Sequence, residues 1–273
     1  MSDARQPVVL VTGASSGIGK ACAEHLAARG FRVFGTQRRP PEESHGAVAM
    51  IAMDVDDDAS VTRGIADVVE RAGRLDAVVN NAGHALTGAV EDTAIDEARA
   101  QLETNFFGVL RVCRAALPIM RGRGGGHIVN ISSLAGVLGL PFSGLYSASK
   151  FALEGMSESL RHEVRPFGIR VVLIEPGDFQ SRLPLTRRTV AAAAQNPAYQ
   201  AAFAASRAQQ DKDEAGAPTP EPVAVLVERV LRDPSPALRY SVGMLGQRIV
   251  VPLKRLLPQR LFEWALRRAL HLG

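Results

Sequence analysis

The sequence predicts a single doubly wound α/β domain, with a parallel sheet flanked by helices on both faces. Short apolar runs rich in Val and Ile alternate with longer segments of helical period. The runs lack the polar alternation of a strand with one face in water, so each must be covered on both sides, as right-handed crossover helices would do. A glycine-rich turn, TGASSGIG, separates the first strand from the first helix. The 273 residues suit one large domain, and 46% hydrophobic with 22% charged residues exclude a disordered or fibrous chain.

PVVLVTG and FRVFGTQ read as strands, with GKACAEHLAARG between them. There Ile18, Ala21, Cys22, His25 and Leu26 share a helical face, and Gly30 stops the helix. AVAMIAMDV is the next strand, followed by a helix from about Ser60 to Ala72, the strand LDAVVNNAG, a long helix around Glu97 to Met120, and the strand GHIVNISS. A helix opened by Tyr146 runs to about Pro166, and IRVVLIEPG is the strand after it. Residues 178–222 break the pattern and read as a substrate lid, with an alanine-rich helix carrying Tyr199 and Phe203 before the polar QQDKDEAGAPTPEP. A helix near Val223 to Leu231 and the short strand LRYSV close the sheet, and residues 251–273 form a basic amphipathic tail.

The net charge is +4, and from Val251 onward Lys254, Arg255, Arg260, Arg267 and Arg268 face only Glu263. The tail therefore accounts for the whole excess. A nucleic-acid surface would spread its cations over the domain, so no such partner is expected. Leu261, Phe262, Ala265, Leu266, Ala269 and Leu270 share one face of the tail, which suits core or dimer packing and also contact with a membrane surface. The N-terminal residues lack a signal-peptide pattern, and no apolar run reaches the roughly 18 residues of a membrane span, so a cytoplasmic protein is expected. Cys22 and Cys113 lie in helical patterns and read as free buried thiols. His84, His127 and His162 have no metal-ligand spacing and read as structural or surface residues; no metal is expected.

Gly13, Gly17 and Gly19 are spaced GxxxGxG, which differs from the common GxGxxG but serves the same physics. Glycines allow a tight turn and close backbone approach, and a helix N-terminus favours a pyrophosphate. The turn from Gly13 through Ser15, Ser16, Gly17, Ile18 and Gly19 is the expected phosphate cradle. Where an acid would hold a ribose 2′-hydroxyl, the chain reads Thr36, Gln37, Arg38, Arg39. Arg38 can clamp a 2′-phosphate with paired charge-assisted bonds, so NADP(H) is expected in preference to NAD(H). Asp54, followed by Val55, is a candidate for the adenine edge, or caps the next turn.

Tyr146 and Lys150 in YSASK lie on one helical face, with Cβ atoms about 5–6 Å apart. Taking a phenol from a pKa of about 10 to about 7 requires about 4 kcal/mol. One cation at about 4 Å supplies roughly that at an effective dielectric of about 20. Lys150 is thus sufficient in magnitude to make Tyr146 an acid/base. TGASSGIG, NNAG at Asn80 to Gly83, ISS at Ile131 to Ser133 and YSASK, in this order, resemble the short-chain dehydrogenase/reductase family from about Val8 to Val242. The resemblance implies a Rossmann-type domain that transfers hydride between a nicotinamide and a CH–OH group. Carried over position by position, Tyr146 is the general acid/base, Lys150 its partner, Ser133 the hydroxyl that polarises the substrate, and Asn105 in TNFFG the holder of a relay water. It also implies cofactor contacts at Asn81, Ala82 and Gly83, at Pro176 and Gly177, and at Ser181, where the family usually has threonine.

GLPFSGLYSASKFALEG with PFGIRVVLIEPG is similar to the branch containing hydroxysteroid and retinol dehydrogenases. That implies a small lipophilic alcohol or carbonyl substrate. Apolar lid residues Leu183, Leu185, Val190, Tyr199 and Phe203, opposite Leu138, Pro141 and Phe142, are consistent with it, and Phe142 is the expected substrate contact. A carrier-linked 3-ketoacyl reductase and a non-catalytic dinucleotide sensor or scaffold are the competing readings. The resemblance also implies a homodimer or homotetramer.

Overall fold

A computed structural model describes residues 6–39, 46–180 and 187–269. Seven strands form one all-parallel sheet: β1 (Val8–Val11), β2 (Arg32–Gln37), β3 (Val48–Ala52), β4 (Ala77–Asn80), β6 (Gly126–Ile131), β7 (Ile169–Pro176) and β9 (Arg239–Val242). Their spatial order is β3-β2-β1-β4-β6-β7-β9. The order turns back at β1 beside β4, the crevice where open α/β sheets place their ligands.

Successive residues of β1 divide between two cores. Val8 and Leu10 pack with α2 (Asp58–Ala72), α4 (Gly108–Gly122) and α5 (Gly144–Val164), whereas Val9 and Val11 pack with α1 (Gly17–Ala28) and α7 (Glu221–Arg232). This is why the strands read as unbroken apolar runs: both faces are covered. Cys22 and Cys113 are buried free thiols, each pushed up to about 12 by burial. One polar chain crosses the interior. Asn80 Nδ2 donates to Asn130 Oδ1 at 2.8 Å across β4 and β6, and Asn130 Nδ2 donates to Ser157 Oγ on α5, also at 2.8 Å.

The long helix expected around Glu97 to Met120 is interrupted. α3 (Ile95–Leu102) passes through a π turn at Glu103–Phe107 before α4 begins. Such an insertion widens the helix and reorients side chains, and it is frequent at functional sites. Here Asn105 turns inward and is 1% exposed.

Two short strands, β5 (Leu86–Thr87) and β8 (Arg188–Thr189), pair in parallel and tie the segment after residue 187 to the body. α6 (Pro197–Ala215) follows. Leu86, Val190 and Ala193 form a small separate core with Leu145 and Phe203 against it. Leu183 and Leu185 lie outside the described residues. After β9 come α8 (Leu245–Leu256) and α9 (Gln259–Ala269). Among the described residues, no helix is long and apolar enough to cross a membrane.

Candidate active site

A cleft of about 580 Å³ opens along the ends of β1, β2, β4, β6 and β7. At its floor, Gly13 and Gly17 adopt φ of 66° and 54°, which side chains rarely tolerate. Thr36 on β2 holds the turn, its Oγ1 accepting from Gly13 N–H at 3.3 Å and its carbonyl from Ala14 N–H at 3.0 Å. Asn81 Nδ2 donates to the carbonyls of Thr12 and Gly13 at 3.0 and 3.1 Å. Ser16 stands at the N-cap of α1 without bonding the helix through its side chain, and the first turn carries no acid. Its orphan N–H groups and positive dipole end thus suit an anion. Ser15, Ser16, Gly17 and Ile18 line the cleft.

Gly19 does not line it. A Cβ there would lie 2.3 Å from both Asn81 Nδ2 and the Gly13 carbonyl, so this glycine lets the helix pack against the turn. Arg38 is exposed at the cleft rim. Asp54 and Val55 lie on the wall. Asp57, rather than Asp54, caps α2, its Oδ1 accepting from Ser60 N–H at 2.5 Å, while Asp54 Oδ1 accepts from Asp56 N–H at 3.1 Å. Asn81, Ala82, Gly83, Pro176 and Gly177 complete the long wall, and Ser181 lies outside the described residues.

Ser133, Tyr146 and Lys150 face the same cleft. Ser133 follows β6, and its Oγ accepts from Ala135 N–H at 3.1 Å in the turn Leu134–Gly136. Lys150 is 6% exposed; its Nζ donates to the Ile131 carbonyl at 2.8 Å and lies 5.9 Å from the Tyr146 ring centroid. Burial lowers the Lys150 pKa to about 8, against the opposing pull of Glu154 one turn on. The Tyr146 phenol departs from the expectation of a value near 7. Burial raises it above its ordinary value, which outweighs the lowering effect of a hydrogen bond with Ser133. The expectation weighed the lysine's charge and left out desolvation.

Asn105 Nδ2 donates to the His84 carbonyl at 3.0 Å and to Ser149 Oγ at 3.2 Å, and Oδ1 accepts from His84 N–H at 3.1 Å. The amide therefore positions residue 84 and leaves one lone pair of Oδ1 for any further partner. Gln101 repeats the device on α3, donating to the His84 carbonyl at 3.0 Å and accepting from Leu86 N–H at 2.6 Å. Phe142, expected against substrate, is not on the cleft wall. It has φ 57°, and its ring lies 6.5 and 5.6 Å from those of Tyr199 and Phe203.

Among the wall residues not singled out as site residues are His84, Asp178, Arg187 and Glu214. His84, read as structural or surface, is lowered to about 4, by burial first and then by Arg188, Arg38 and Lys150. Arg187 is bonded to Asp211 at 3.1 Å and to Glu214. Asp178 is clamped from α8: Gln247 Nε2 donates to Oδ2 at 2.5 Å, and Gln247 Oε1 accepts from Asp178 N–H at 3.2 Å. The only advance signal was position, since each of the first two directly follows a motif, NNAG or PG.

Such a cleft, with an anion-binding helix end beside a phenol and a lysine, serves an oxidoreductase that uses a nicotinamide dinucleotide. The chain belongs to the short chain dehydrogenase family, which it matches over residues 7–190. It is 40% identical over 260 residues to the 3-ketodihydrosphingosine reductase of Bacteroides thetaiotaomicron, covering 95% of this chain and 96% of that one. A short-chain dehydrogenase from Streptomyces avermitilis has a similar solved structure, with TM-score 0.79 and 36% identity, covering 95% of this chain and 96% of that chain. Solved structures of this fold hold NADP in one case and NAD in another.

Proposed function

We propose that the protein is an NADP(H)-dependent ketoreductase for a lipophilic long-chain ketone, interconverting it with the secondary alcohol. The observation that carries this reading is that Ser133, Tyr146 and Lys150 line the same cleft as the uncapped end of α1. The bound nicotinamide supplies the hydride. Ser133 Oγ orients the substrate oxygen, and Tyr146 delivers its phenolic proton to that oxygen. Burial keeps the phenol protonated, the state from which reduction draws its proton. The Lys150 ammonium, 5.9 Å from the centre of the Tyr146 ring, favours the phenolate left behind; a cation at about 6 Å contributes about 3 kcal/mol at an effective dielectric of about 20. Asn105 fixes the backbone of His84 on the opposite wall.

Arg38 at the rim, with no carboxylate among Thr36 to Arg39, supports a 2′-phosphate. The substrate class is supported by the similarity to a protein named for reduction of a long-chain keto base. The apolar lid cluster around Val190 and Phe203 is consistent with it. NADPH oxidation measured with 3-ketodihydrosphingosine, a steroid ketone and a carrier-linked 3-ketoacyl substrate tests the reading. Turnover of the long-chain ketone should exceed the others at least tenfold and be lost in Tyr146→Phe. Preference for another arm overturns the substrate class, and full activity in Tyr146→Phe overturns the mechanism.

A further inference from the structure

Exposed apolar side chains are concentrated at the C-terminal end of the chain. On α8, Leu245, Ile249, Leu253 and Leu256 follow one another at helical spacing, and all are exposed, Leu245 at 70% and Leu256 at 79%. On α9, Leu261 and Trp264 are exposed as well, Trp264 at 57%. A soluble helix ordinarily turns its apolar stripe inward. α8 instead reaches the body through polar groups: Gln247 on Asp178, and Lys254 Nζ on the Val137 carbonyl at 2.6 Å. Its apolar stripe is left outward.

We propose that α8 and α9 form a docking surface for an anionic membrane. Exposed cations, Arg248, Arg260, Arg267 and Arg268, accompany the apolar residues, and Arg268 lies 5.4 Å from the Trp264 ring centroid. Leu and Trp on one face with arginines beside them is the composition of a helix lying in a lipid interface. Anionic headgroups complement those arginines, whereas a second copy docked through the same two helices would offer them Glu263 as its one acid. The surface is also coupled to the cleft. Gln247 touches the backbone and carboxylate of Asp178, and a Cβ on Gly177 would lie 2.2 Å from its Oε1. Docking therefore holds the helix that braces one cleft wall against the phase in which a lipophilic ketone is dissolved.

Trp264 is the only tryptophan in the chain and reports on the surface without substitution. The full-length protein is titrated with vesicles of phosphatidylcholine alone or of phosphatidylcholine with phosphatidylglycerol, following Trp emission and co-sedimentation. The expected result is a blue shift and at least tenfold stronger binding to the anionic vesicles, weakened by salt. Leu245→Ser with Ile249→Ser and Leu256→Ser should abolish binding and leave reduction of a water-soluble ketone unchanged. Arg260→Glu with Arg267→Glu should remove the preference for phosphatidylglycerol. An unshifted Trp264 spectrum, or equal sedimentation of the wild type and both variants, overturns the proposal. So does a wild type that ignores vesicles but loses an oligomeric state in the leucine variant, which would assign the face to a subunit contact. The vesicle readout involves no turnover, so it stands or falls apart from the substrate reading.

Discussion

Lys150 Nζ donates to the carbonyl oxygen of Ile131 at 2.8 Å, which joins α5 to the end of β6 inside the cleft. The ammonium is held where it is poorly solvated, and its pKa falls from 10.5 to about 8. The unfolded chain holds that proton more tightly. Lys150 therefore opposes folding fully below pH 8, by about 3 kcal/mol. The opposition fades as pH rises toward 10.5. Lys150→Met is expected to gain about 1–3 kcal/mol at pH 7 by urea unfolding, less whatever the lost bond to Ile131 costs. The same variant should lose at least about 100-fold in kcat. In the wild type, reductive kcat should decline above about pH 8 as the ammonium loses its proton. A variant less stable than the wild type would contradict the burial account.

Tyr146→Phe removes the proton that the substrate oxygen needs while keeping the ring. A fall in kcat of about 10²–10⁴ is expected, with dinucleotide affinity within a few-fold of the wild type by fluorescence titration. Loss of dinucleotide binding in parallel would make Tyr146 a structural element of the cleft.

Arg38→Leu tests the 2′-phosphate. Charge-assisted bonds contribute about 1.5–3 kcal/mol, so KM for NADPH should rise about 10- to 100-fold while KM for NADH changes little. Equal changes for both cofactors would remove Arg38 from that role.

Gly19→Ala places a methyl group against Asn81 Nδ2 and the Gly13 carbonyl, each 2.3 Å away. The helix must retreat from the turn. Dinucleotide affinity should fall at least tenfold, with a stability loss of about 1–3 kcal/mol by urea unfolding. An unchanged titration would show that the turn does not depend on this contact.

The sheet was legible because its information is local. Runs such as Val8–Val11 and Val171–Ile174 are apolar at every position, which only two covered faces explain. The glycine turn and the YSASK helix were legible because residue type and spacing carry their chemistry. The break at Glu103–Phe107 was not, since one widened turn hardly disturbs a 3.6-residue period, and Val109, Val112, Cys113 and Ala116 continue the buried stripe beyond it. Nor was the clamp between Asp178 and Gln247, whose partners lie 69 residues apart. The raised Tyr146 pKa was hidden for a similar reason: desolvation depends on what other segments place around the phenol. Phe142 likewise packs beside Tyr199 and Phe203, which come from α6, more than 50 residues on.

The amide bridge from Asn80 through Asn130 to Ser157 touches no substrate, yet it guards against misthreading of the sheet. Valines and isoleucines are nearly interchangeable, so an apolar strand sliding along its neighbour meets little resistance from packing alone. Sliding β6 by one position would turn Asn130 away from both partners and strand several amide atoms in a dry interior, at about 1–3 kcal/mol apiece. Because Ser133 rides at the end of that strand, its placement opposite Tyr146 is inherited from a lock set deep within the protein.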